Sequence, residues 1–151
     1  MNRKILIATI LIAVFVAFYL LDKTSVSNGL NYTVGPNGIW KDVQPFIDAH
    51  SHSTNHRKAL EQLFKDFQKT LLDPEIGVEI KEGRHRDDLG RDFTCHWKTV
   101  GFDNRIDVSE IENAIINNVA RARAYSKYNG NLSGGMYPSW NEKKDGSPCD
   151  F

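Results

Sequence analysis

Residues 77–102 read GVEIKEGRHRDDLGRDFTCHWKTVGF, and the period assigned to this stretch sets the fold class. From Gly77 to Glu82 apolar and charged residues alternate, with Val78 and Ile80 on one side and Glu79 and Lys81 on the other. That is the pattern of a half-buried strand. Asp92 to Phe102 alternates again: Phe93, Cys95 and Trp97 share one face, Thr94, His96 and Lys98 the other. Gly83 to Arg91 lies between them as a charged turn. The expected unit is an antiparallel hairpin.

Helical periods flank this pair. Upstream, Leu60, Leu63, Phe64, Phe67 and Leu71 form one apolar stripe, predicting a helix from Asn55 to Leu72. Ser53, Thr54 or Asn55 can cap it and Pro74 closes it. Downstream, Ile111, Ile115, Val119 and Ala122 predict a second helix over Val108 to Lys127. Asp107 with Glu110 resembles a capping box at its start, and Asn129-Gly130 ends it. The expected fold class is α+β: two amphipathic helices on a short antiparallel sheet, in helix-strand-strand-helix order, over residues 39–128. A bare hairpin is marginal by itself. A further strand from residues 30–47, from the tail 129–151, or from a partner is expected to complete the sheet. Trp40, Val43, Phe46 and Ile47, interrupted by Pro45, predict a short helix or a packed loop.

The N-terminal side has a different character. Residues 5–21, ILIATILIAVFVAFYLL, contain no charge, Gly or Pro, and predict a transmembrane helix. Arg3 and Lys4 precede it, which places residues 1–4 in the cytoplasm and residue 22 onward across the membrane. Residues 22–38 read as a linker ending in a Pro36-Asn37-Gly38 turn. The expectation is a single-pass signal-anchor protein with a periplasmic or extracellular domain. The alternative is secretion after signal-peptide cleavage near Ser25-Val26-Ser27.

The 151 residues suffice for one domain. Nineteen basic residues balance nineteen acidic ones, which argues against a nucleic-acid binder. No Gly-x-Ser-x-Gly elbow, phosphate-binding glycine loop or Cys-x-x-Cys motif appears. The densest chemistry is Asp48-Ala49-His50-Ser51-His52 with His56. His-x-His on an extended segment puts two rings on one side, and His56 from the next helix would complete a tripod for zinc. Asp48 to His52 resembles the Asp-x-His-x-His strand of the amidohydrolase-type barrel metalloenzymes. It also resembles the metallo-β-lactamase His-x-His-x-Asp-His pattern, from which it departs by lacking that Asp. The chain has no room for the barrel or its later ligands, so neither activity is carried over. The competing reading is a polar connector that binds no cofactor.

Cys95 and Cys149 are the only cysteines, and in an exported domain an even count invites a disulfide. Arg84-His85-Arg86 and Arg121-Ala122-Arg123 read as solvated surface. Arg84 and Arg86, with Tyr137 and Trp140 of the tail, are the candidate partner contacts. The expected function is a membrane-tethered, non-catalytic interaction domain serving another membrane or envelope protein. A small zinc-dependent hydrolase using His50, His52 and His56 is one alternative. A pH- or ligand-responsive sensor is the other.

Overall fold

The computed structural model describes residue 30, residues 33–135 and residues 140–151, and their regular structure is helical. The helices are α1 (Gln44–His50), α2 (Thr54–Leu72), α3 (Ile76–Lys81), α4 (Asp88–Val100), α5 (Val108–Ile115), α6 (Val119–Leu132) and the single turn α7 (Glu142–Asp145). A 3-10 turn, Phe102–Asn104, follows α4. The α+β expectation is overturned. Among the described residues there is no sheet, and the one strand-like pairing is an isolated antiparallel bridge between Val34 and Trp40. It closes over the Pro36-Asn37-Gly38 turn, where Gly38 takes φ 81°.

Both expected strands are helices, and each has a local cause. In α4 the buried set is Leu89, Asp92, Cys95 and His96, a 3.6-residue stripe in which two members are polar. Read by hydrophobicity alone, that stripe vanishes and the i, i+2 alternation of Phe93, Cys95 and Trp97 is left. On the helix Phe93 and Trp97 are neighbours one turn apart, ring centroids 5.8 Å from each other. The Asp87 side chain accepts from Gly90 N–H to start α4, and Gly101 at φ 77° stops it. In α3 the buried pair is Gly77 and Ile80. At Gly77 the α3 backbone approaches α6 so closely that a Cβ would stand 2.8 Å from the Tyr128 carbonyl oxygen.

The second long helix is divided. Asn118 is extended and its side chain accepts from Arg121 N–H, so it caps a new helix instead of continuing α5. The resulting corner carries Arg121, which is buried and not solvated. Its guanidinium lies 3.8 Å from the Trp40 ring centroid and 2.8 Å from the Asp42 carboxylate. It donates to the Ile115 carbonyl at 3.0 Å and to Asn117 Oδ1 at 3.1 Å. Partial burial pushes the Asp42 carboxyl up, but the bonds from Arg121 and Asn117 outweigh it and hold the carboxyl below its usual range.

The long helix α2 is central. It packs chiefly on α4 and also meets α1, α5 and α6, while α3 packs on α6. Leu60, Leu63, Phe64, Phe67 and Leu71 of α2 are all at most 1% exposed. They share one core with Ile39, Trp40, Val43, Ile47, Ile111 and Ile115. Ser53 accepts from His56 N–H at its start.

The expected transmembrane helix, residues 5–21, lies outside the described residues. Among the described residues no helix is long and apolar enough to cross a membrane. Even α2, with 19 residues, exposes Lys58, Lys65 and Lys69. The membrane, single-pass and signal-anchor assignments are corrected to that statement.

Candidate functional site

A groove of about 430 Å³ runs along α2 beside α4 and the tail. Its walls carry Lys58, Lys65 and Lys69 of one chemistry and Glu61, Asp66 and Asp88 of the other. Lys69 pairs with Asp88 at 3.2 Å across the α2–α4 boundary. Gln62, Arg91, Asp150 and Phe151 complete the lining.

The disulfide explains why the tail is there. Cys95, fully buried on α4, is bridged to Cys149, with Cα atoms 5.1 Å apart. Next to the bridge the Gln62 side chain holds the tail backbone at two points. Its amide N–H donates to the Pro148 carbonyl at 2.9 Å, and its Oε1 accepts from Asp150 N–H at 3.0 Å. Arg91 adds an ion pair to the Asp150 carboxylate at 3.4 Å. The Lys58 ammonium sits 5.3 Å from the centroid of the Phe151 ring.

Under this tail segment lies the buried carboxyl of Asp92, beside the half-buried Asp66. Asp92 is 0% exposed, accepts from Gln62 at 2.5 Å and pairs with Arg91 Nε at 2.9 Å. Arg91 also pairs with Asp66 at 3.1 Å. Burial pushes the Asp92 carboxyl up to about 8, and Asp66 beside it adds to the rise; Gln62 and Arg91 oppose it. The Asp92 Oδ2 atom is buried without a hydrogen-bond partner, which suits an oxygen that carries the proton. At neutral pH Asp92 therefore keeps its proton.

The histidines do not form the expected tripod. His50 ends α1 and turns away: Nδ1 lies 2.8 Å from the Phe46 carbonyl and Nε2 lies 3.1 Å from Glu110. His52 and His56 remain neighbours, ring centroids 5.4 Å apart. The histidine that joins them is His96 of α4, 5.1 Å from His56. Among the described residues no three His, Cys, Asp or Glu side chains are grouped so as to hold a metal. His56 Nδ1 accepts from His52 N–H at 3.3 Å, and His96 Nε2 accepts from Ile106 N–H at 3.4 Å. Both rings are thus held neutral, and their second nitrogens are buried without partners. Burial drives the His96 imidazole down to about 4, and a charge on His56 would lower it further. Burial also lowers His56, followed by the charges of His52 and His50.

The four candidate partner contacts separate. Arg84 is exposed and pairs with Glu82. Arg86 lies 5.6 Å from the Trp140 ring centroid and 3.7 Å from Asp145, so these two candidates meet each other within the chain, with the Arg86 side chain 67% exposed. Tyr137 lies outside the described residues. Gln62, Arg91, Asp92 and His96 were not visible as site residues in the sequence. The available signal was a polar residue inside an apolar helical period, as Gln62 is between Leu60 and Leu63. Compared with known proteins, the chain matches no family model, no curated protein and no solved structure.

Proposed function

We propose that this chain is a non-catalytic interaction domain that takes a polar segment of a partner protein into the α2–α4 groove. The open groove of about 430 Å³ with lysines and carboxylates on its walls carries this reading. Such a lining suits hydrogen bonding and charge matching to a peptide backbone and its side chains more than enclosure of an apolar small molecule. Each buried polar group beneath it has a structural task. Gln62 clamps the tail, Arg91 bridges three carboxylates, and Asp92 anchors Gln62 and Arg91. The zinc-hydrolase reading has less support, because His50 is engaged by Phe46 and Glu110.

A photo-reactive amino acid placed at position 65, on the groove wall, tests the proposal at native expression level. A dominant protein adduct is expected from position 65, and none from position 113 on α5. No adduct from position 65 would overturn it.

A further inference from the structure

The tail does more than border the groove; it occupies one end of it in the manner of a ligand. Pro148 to Phe151 is met by a row of three side chains from two helices. Gln62 satisfies one backbone carbonyl and one backbone N–H two residues apart. Arg91 meets the acidic side chain between that N–H and the ring. Lys58 covers the aromatic ring. A side-chain amide that reads backbone this way accepts any extended segment, whereas the guanidinium selects for an acidic side chain and the ammonium for an aromatic one. Phe151 is still 47% exposed and the Asp150 side chain 66% exposed. These contacts alone are modest, and the covalent bridge at Cys149 keeps the segment in place.

We propose that the Gln62–Arg91–Lys58 row is a peptide-binding subsite for an extended partner segment bearing an aspartate followed by an aromatic residue, filled in the oxidised chain by its own tail. The inference rests on the interaction-domain reading and names the partner's chemistry and the latch. Opening the latch requires a dithiol reductant. Its thiolate attacks the bridge, with Cys149 the half-buried and more accessible partner, to give a mixed disulfide. Its second thiol then displaces Cys149. Two electrons and two protons end on Cys95 and Cys149, and the dithiol leaves as its own disulfide. The tail then remains only a tethered competitor, whose local concentration a partner segment can match.

The test uses the full chain and a fluorescein-labelled, C-terminally amidated peptide Gly-Ser-Pro-Ser-Asp-Phe, titrated by anisotropy. Binding to the dithiol-reduced chain and to Cys149→Ser is expected to be at least tenfold tighter than to the oxidised chain. Gln62→Ala in the Cys149→Ser background should weaken it at least tenfold, and so should Asn for Asp in the peptide. No saturable binding to an opened chain that keeps its helical circular dichroism would overturn the proposal. So would equal affinity in the oxidised chain, or dimerisation of the opened chain by tail exchange. If the opened chains lose helicity, the oxidised Asp150→Lys chain serves instead. Repulsion from Arg91 should loosen its tail and tighten the peptide several-fold, and an unchanged affinity overturns the inference. A chain that still crosslinks through position 65 but refuses the peptide loses this inference and keeps the interaction-domain reading. Failure of both removes both.

Discussion

Asp92 and His96 stand one turn apart on α4, and each is buried in its neutral form. Asp92 binds its proton more tightly in the folded chain, at about 8 against an ordinary 3.8. Between those values the folded state holds more protons than the unfolded state, so stability falls as pH rises. His96 is opposite: at about 4 against 6.5 it is neutral when folded, and stability rises with pH through that window. His56, lowered in the same sense, adds to the rise. The two effects oppose each other below pH 6.5, and only the Asp92 decline continues toward pH 8. Stability measured by urea unfolding should therefore change little below about pH 6.5 and fall from there toward pH 8. Asp92→Asn should remove most of the decline above that point, and His96→Gln should extend the decline below it. A wild-type profile flat from pH 6.5 to 8 would contradict this account of Asp92. Neither residue announced its burial in the sequence. Asp and His are most often exposed, and only the α2 face opposite them supplies Gln62, Asp66 and His56 as neighbours.

At the level of elements, the long stripe of α2 was legible because its five large apolar residues keep a helical period. The short segments were not. GVEIKE offers too few residues to separate a period of 2 from 3.6, and α3 exists because Gly77 and Ile80 bury against α6. That close approach gives a paired prediction. Gly77→Ala puts a methyl 2.8 Å from the Tyr128 carbonyl, so α3 must shift, at a cost of about 1–3 kcal/mol. Gly130→Ala, inside α6 with no atom within 4 Å, should instead stabilise by about 1 kcal/mol through helix propensity. Thermal midpoints moving in opposite directions would verify the packing of α3 on α6. The break between α5 and α6 was also hidden. Asn117 and Asn118 fit a helix surface, and they end one here because Arg121 and Asp42 engage them from both sides.

For the whole molecule the decisive link is between α4 and the tail. The bridge from Cys95 to Cys149 spans a separation of 54 residues. Closing a loop of that length restricts the unfolded chain by about 4 kcal/mol in the chain-entropy account. Reduction, or Cys149→Ser, should lower the urea midpoint by a corresponding amount, and a midpoint unchanged on reduction would show that the bridge constrains nothing. The sequence by itself determined the central helix, the balanced charge and the identity of the only two cysteines. These follow from local periodicity and composition, which need no partner to be read. Tertiary structure decided that residues 76–81 and 88–100 are helical and that Arg121, Asp92 and His96 are inside. It also decided that His96, not His50, joins His56, and that the tail lies in the groove. Each of those depends on a surface supplied by a distant segment. An i, i+2 alternation becomes a strand only beside another strand, and here the neighbour that α2 offers is the side of a helix.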